Sequence, residues 1–239
     1  MKLPNDMLFR HVIDVNDYIH IPIPTVGEAL EYEDVYDSLV FVLTATPYDM
    51  MVQLDDMGFD YTEITEYEMF LLFWAYVANS DTRLIFGDLD CSKFQFAQDM
   101  NTGMIVLRDN ENDYTIDQGI QIDIANALRK INHLTKNHRK PGNEDAKEYL
   151  LKRARARQRA AARKPHESQL ESTICAMVNA PEFKYDYESV KGLTIYQFNE
   201  SVRQVIHRVD YDKRMIGVYA GTVDASKLSN DAFNWLTHK

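Results

Sequence analysis

The stretch TEYEMFLLFWAYV, residues 65–77, decides the fold. Thr65, or Thr62 before it, can cap a helix that continues through the apolar run to Ala78. A run of about nine apolar residues is too short to cross a bilayer, which takes about twenty. Because this helix is apolar on every side, we predict that it lies at the centre of the core of a protein that does not enter membranes.

The residues before this helix predict two further helices and an extended segment. Thr25 and Glu28 form a capping box that begins a helix ending before Pro47. A short helix follows from Asp49 to Asp56 and ends at Gly58. Pro22 and Pro24 exclude a helix or a central strand, so the first 24 residues should be extended, either on the body or towards a neighbouring molecule.

The residues after the central helix predict a small antiparallel sheet. Residues 93–98 alternate in polarity, and residues 104–108 and 114–116 are short apolar segments separated by turns. Residues 83–86 form another short apolar run, before Gly87. We therefore predict a meander of three or four strands.

Helical spacing returns in the second half of the chain. A helix spans about 120–134, and a break at 136–144 contains Pro141. A basic helix follows from about Asp145 to Arg163, and Ser168 and Thr194 cap later helices. We predict a predominantly helical α+β fold, divided into an acidic α+β domain (1–135), a basic helical linker (136–165) and a C-terminal helical bundle (166–239).

Charge is unevenly placed along the 239 residues, whose net charge is −11. Residues 1–135 hold 7 basic and 24 acidic residues, a net −17. Residues 136–165 hold 11 basic and 3 acidic residues, a net +8. Such segregation bears on partners rather than on fold, and the acidic body disfavours whole-protein binding to nucleic acid.

The basic helix is the candidate partner-binding site. Its apolar side is thin and its cations spread around most of its circumference, so we expect that it does not dock deeply into its own core. It can bind an acidic protein face, including the chain's own N-terminal block or that of a neighbouring copy, act as a solvated connector, or bind nucleic acid, although Tyr149 is its only aromatic residue for base stacking. The candidate residues are Lys147, Lys152, Arg153, Arg155, Arg157, Arg159, Arg163 and Lys164.

The sequence carries no recognisable catalytic, cofactor or metal motif. The carboxylates at 88, 90, 109, 111 and 113 resemble cation ligands, but the calcium-loop pattern fails, and we expect solvated turns. The seven histidines do not follow metal-ligand spacing. Cys91 and Cys175 are predicted to be free thiols in a reducing compartment. We therefore expect a protein that is not an enzyme and needs no cofactor.

Four methionines lie near the central helix: Met50, Met51, Met57 and Met69. Together with Phe70, Phe73 and Trp74 they predict part of the core, or alternatively a soft groove for a partner segment.

Five stretches resemble a protein family found in phages and prophages of Gram-positive, Clostridia-type bacteria. They are Thr46–Gly58, Phe86–Asp90, Lys140–Glu144, Ile195–Arg203 and Tyr219–Asp224. The resemblance covers most of the chain and implies a member of the tail-morphogenesis group, which contains virion components and tail-assembly chaperones. It assigns no functional residues.

The resemblance and the charge pattern lead to one main hypothesis and two alternatives. The main hypothesis is a virion assembly protein, either a tail-assembly chaperone or a minor tail or baseplate component. Its expected partners are other tail or virion proteins, or further copies of itself, and its expected location is the host cytoplasm or the virion. The alternatives are a nucleic-acid-binding regulator that uses residues 147–164 and a phage inhibitor of a host system.

Overall fold

A computed structural model describes residues 3–100, 102–163, 165 and 167–236. The predicted fold class is confirmed, since helices dominate and the two sheets are small and antiparallel. The helices of the described residues are α1 (Val26–Glu31), α2 (Glu33–Thr44), α3 (Met51–Asp56), α4 (Glu66–Ala78), α5 (Arg83–Phe86), α6 (Gln118–Ile131), α7 (Glu144–Ala161), α8 (Gln169–Val178) and α9 (Ile195–Tyr219). The strands are β1 (Val12–Asp14), β2 (His20–Pro22), β3 (Gln95–Gln98), β4 (Ile105–Asp109) and β5 (Tyr114–Ile116).

The N-terminal segment lies on its own body. Strands β1 and β2 pair as an antiparallel hairpin, with Ile13 opposite Ile21. Pro22 occupies the last position of β2, where a two-stranded sheet tolerates a missing N–H donor. Ile13, Ile19 and Ile21 are at most 1% exposed, so the hairpin is held by burial of its apolar residues.

The central helix α4 begins as predicted. The Thr65 hydroxyl accepts a hydrogen bond from the Glu68 N–H, and the Glu68 carboxylate accepts one from the Thr65 N–H at 2.8 Å. Phe70 and Trp74 are buried, with ring centroids 5.3 Å apart. The predicted central position is confirmed, since Tyr67, Phe70, Trp74 and Val77 lie in the core, although Tyr76 is 44% exposed and one side of the helix is only half-buried.

The methionines near α4 divide between core and surface. Met50 and Met69 are buried, as the core interpretation requires, whereas Met57 is 49% exposed. The core interpretation is therefore confirmed for Met50 and Met69 but not for Met57.

The predicted meander has three strands, in the order β3–β4–β5. The fourth candidate, residues 83–86, is the helix α5, which ends at Gly87 with a positive φ of 60°. Ile85 and Phe86 bury their side chains from this single turn, so three consecutive apolar residues, 84–86, did not distinguish a strand from a helix.

The first predicted helix is interrupted. It divides into α1 and α2 at Tyr32, whose φ of −117° and ψ of 29° are not helical. The capping box of Thr25 and Glu28 is present, so the start of the helix was predicted correctly.

The second half of the chain contributes to the same core as the first. The buried apolar residues of segment 166–239 belong to one cluster with α2, α4 and α6, and they are Ile174, Met177, Phe183, Val190, Ile195, Tyr196 and Phe198. Beyond Phe198, no residue of α9 is buried. The division into three domains stays a prediction, but the buried residues of segment 166–239 lie in the core of the body.

No described helix is both long enough and apolar enough to span a bilayer.

Phe198 provides a test of the shared core. It is fully buried, and its ring packs edge-on against Phe183 with centroids 6.2 Å apart. We predict that Phe198→Ala lowers the free energy of unfolding by about 3–5 kcal/mol, because a buried aromatic ring is lost and a cavity remains. Urea denaturation measures the change.

The matched control is Ile206→Ala on the same helix, at a site that is 63% exposed. It should change stability by less than about 0.5 kcal/mol. Equal effects of the two substitutions would show that residues 183–198 do not belong to the core.

Candidate partner-binding site

Helix α7 carries the candidate residues, and its start is set by local chemistry. The Asn143 side chain accepts a hydrogen bond from the Ala146 N–H at 2.8 Å and so caps the helix. Glu144 and Asp145 lie in the first turn, where negative charge favours the helix dipole. Alanine and arginine are good helix formers, so the helix needs little help from packing.

No described residue of α7 is buried, as expected for a helix that does not enter the core. It lies on α3 and on the loop after it, and two polar contacts hold it there. In the first contact, the Lys147 ammonium pairs with the Asp60 carboxylate, and the Tyr61 hydroxyl donates to the Lys147 carbonyl at 3.2 Å. In the second, the Arg155 guanidinium pairs with Asp55 and also with Asp56, at 2.6 Å from the latter.

These ion pairs reduce the number of α7 cations that remain for an outside partner. The sequence indicates that the cations of α7 serve an outside partner, but the charges of Lys147 and Arg155 already meet carboxylates of the chain's own acidic body. The reason is the complementary charge of the body, which the net −17 of residues 1–135 supplies. Less free charge is therefore available to a partner than the sequence suggests.

The ion pairs also change the acidity of the groups that form them. The Lys147 ammonium, followed by hydrogen bonds from Thr62, lowers the pKa of Asp60 from 3.8 to about 2. Asp60 raises the pKa of Lys147 in return. Asp55, followed by Asp56, raises the pKa of Arg155.

The remaining described candidates face solvent. None of their side chains forms an ion pair or hydrogen bond with another described residue, and each is exposed. All residues from 156 to 163 are exposed, so the second half of α7 and the residues after it project away from the body. We call this set the open cations: Lys152, Arg153, Arg157, Arg159 and Arg163. Lys164, the last candidate, lies outside the described residues.

Sequence reasoning missed the carboxylates that hold α7. Asp55, Asp56 and Asp60 are about a hundred residues away in the chain, and no local pattern links them to α7. The opposite signs of the two segments were the only available signal.

The carboxylates of the 109–113 turn serve local structure. Asp109 is 2% exposed rather than solvated, and it accepts hydrogen bonds from the Glu111 N–H at 2.9 Å and the Asn112 side chain at 2.6 Å. Glu111 pairs with Lys93, and Asp113 pairs with Arg108. Among the described residues, no group of three or more His, Cys, Asp and Glu side chains is placed to hold a metal ion.

The fold and site define a predominantly helical α+β protein with a cationic helix resting on an acidic body. Residues 162–239 match the family model of the YomV second domain, directly after α7 ends. The match supports a phage-associated family. No curated protein and no solved structure matches the chain.

The Asp60–Lys147 pair predicts a measurable acid titration. We expect the Asp60 carboxyl group to titrate near pH 2, and its pKa to rise towards 3.8 in Lys147→Ala, where the Thr62 hydrogen bonds remain and still lower it. Because the folded-state pKa is lowered, the pair stabilises docking fully above about pH 4 and less as the pH falls towards 2. Carboxyl carbon chemical shifts measure the midpoint.

Glu188→Gln is the control, since it removes an exposed carboxylate paired with Lys191 elsewhere on the chain. It should leave the Asp60 midpoint unchanged. A midpoint near 3.8 in the unsubstituted protein would show that Lys147 does not pair with Asp60 in solution.

Proposed function

We propose that this chain is a phage virion assembly protein, either a tail-assembly chaperone or a minor tail or baseplate component, which binds other proteins and catalyses no reaction. It would act in the host cytoplasm or in the virion. The observation that carries the proposal is the set of open cations. Most of them lie on α7, which ion pairs of Lys147 and Arg155 hold against the body. The match of residues 162–239 to a phage-associated family supports the setting.

The docking of α7 indicates what its open side would recognise. On its inner side, Arg155 meets two adjacent carboxylates at the end of the short helix α3. Arg153 and Arg157 offer the same chemical group on the opposite side of the helix, and Arg159 offers it one turn beyond Arg155, in each case without carboxylates from the described residues. Guanidinium groups favour planar carboxylates, so an acidic protein surface is the natural counterpart.

The acidic body favours a protein partner over a nucleic acid. Phosphates that approach the open cations would also meet the field of residues 1–135, with a net charge of −17. An acidic patch on a folded protein is smaller and can be oriented away from that field. Complementary charge would steer association and set orientation, and apolar contacts would add affinity.

Charge reversal of the open cations tests this function. In Arg153→Glu/Arg157→Glu/Arg159→Glu, we expect the affinity for the tail proteins co-expressed from the same phage to fall at least about tenfold, since three attractions become repulsions. Size exclusion at low salt, followed by calorimetry on any complex found, measures the effect.

The control is Lys184→Glu/Lys191→Glu/Lys227→Glu, which changes the net charge equally at exposed sites outside α7. It should leave the complex intact. Failure of the unsubstituted chain to elute with any tail protein would contradict the proposal, and an equal loss in both triple variants would show only a general charge effect.

Binding to nucleic acid is a second candidate function, favoured by the five open cations, four of which lie on α7. It predicts that the logarithm of the binding constant falls linearly with the logarithm of salt, with a slope of about −0.7 to −0.9 for each phosphate contacted. Gel shifts of single- and double-stranded RNA and DNA between about 50 and 200 mM salt measure that slope. No shift at the lower salt concentration would exclude this function.

A further inference from the structure

A second surface of the molecule has the opposite character to the open cations. Between the α3–α4 loop, α4 and the sheet lies an open groove of 610 Å³. We call it the α4 groove; its apolar lining consists of Phe59, Ile64, Leu71, Leu72, Phe96 and Ile105. Its volume falls within the range of about 300–1,000 Å³ that is typical of ligand sites.

The apolar lining is unusually open to solvent. Phe59 is 43% exposed, Phe96 is 61% exposed and Ile105 is 54% exposed. These side chains converge from three separate segments of the chain, whereas single exposed apolar residues on a monomer are usually scattered. The groove is therefore a continuous apolar surface that gains free energy when another apolar surface covers it.

The rim of the groove is acidic, and no Lys, Arg or His among the described residues lines it. Asp60 is already paired with Lys147 at one side. The Glu68 carboxylate accepts hydrogen bonds from Thr65 and meets no cation among the described residues. Glu63 is exposed and has no described partner, so two net negative charges remain beside an apolar floor.

We propose that the α4 groove binds a cationic amphipathic helix of a partner protein. Bulky apolar residues at positions i, i+3 or i+4, and i+7 of that helix would fill the floor along α4, which is a recurring mode of peptide recognition. Lys or Arg residues on its flank would face Glu63 and Glu68. The charge of the body favours this occupant over an anionic or neutral helix.

This inference goes beyond the proposed function, because the groove and the open cations share no residue. The groove would receive a positive segment, and the open cations would receive a negative surface. A protein with both sites can bring two partners of opposite charge together. Either site can fail its test without changing the result expected at the other.

The experiment uses the full chain and fluorophore-labelled synthetic peptides. The probe is a helix of about 18 residues with one leucine stripe flanked by lysine. Two comparison peptides have the same length: one has the same composition with the stripe scrambled, and one has glutamate in place of lysine. Fluorescence anisotropy at low salt should show the probe binding at least about tenfold more tightly than either comparison peptide.

Variants locate the binding. Phe59→Ala should lower the affinity for the probe peptide about fivefold or more, as truncation of an apolar residue at the centre of an interface can do. Phe41→Ala should have no effect, because Phe41 is equally exposed, at 43%, but lies outside the groove. Glu63→Lys should also lower the affinity for the probe peptide. Glu182→Lys should not, because Glu182 is exposed but lies outside the groove.

Three outcomes would overturn the proposal. Equal binding of the scrambled peptide and the probe would show attraction by charge alone. Equal effects of Phe59→Ala and Phe41→Ala would place binding elsewhere. A dimer of the chain alone in light scattering, lost in Phe96→Asp, would make a second copy the occupant.

Discussion

Two surface ion-pair contacts, Lys147 with Asp60 and Arg155 with Asp55 and Asp56, determine how the basic helix is presented. Exposed ion pairs typically contribute about 0–1 kcal/mol each, and salt weakens them. All five side chains retain some exposure, so docking of α7 is held by modest forces. Leu150, Leu151 and Ala154 of α7 are only half-buried, so apolar contact supports these pairs less than a fully buried helix face would. The position of the helix is therefore sensitive to any acidic surface that competes with α3.

An acidic partner can compete with the body for α7, because the cations that pair with the body and the cations that face solvent recognise the same group, a carboxylate. The inner cations bind carboxylates of the body, and the open cations are the same residue types on the same helix. An acidic partner that reached around α7 would exchange one set of carboxylates for another at small net cost. The covalent connection to the body opposes this exchange, since it keeps Asp55, Asp56 and Asp60 at a high effective concentration. The balance favours a docked helix that remains able to respond to a partner.

Local signals in the sequence predicted the elements whose formation is itself local. The capping boxes at Thr25 and Thr65 are present, Thr194 caps α9 together with Gln197, and Gly58 ends α3 with a φ of 80°. Each of these depends on side chains within three residues, or on one backbone angle. The sheet was also recoverable, because alternation and turn residues specify neighbouring strands.

Structural features that depend on residues far apart in the chain could not be predicted from the sequence. Residues 83–86 form a helical turn rather than a strand, and the three apolar residues 84–86 fit the core in either form. The open side of α4 was missed because burial depends on what packs against the helix, not on its own composition. The docking of α7 and the α4 groove share this origin, since each joins segments that are far apart in the chain.

The two proposed binding surfaces, the α4 groove and the open cations, would use different interactions. The groove offers apolar area with little charge, and the cationic helix offers charge with little apolar area. Apolar contact supplies most of the free energy of association, while charge acts mainly on encounter rate and orientation. A partner held by the helix alone would therefore exchange quickly and respond strongly to salt, whereas one bound in the groove would be held longer.

Asp60 borders both sites, because it lines the groove and pairs with Lys147 near the start of α7. Lys147 already neutralises this carboxylate, so Glu63 and Glu68 are the charges left to attract a cation in the groove.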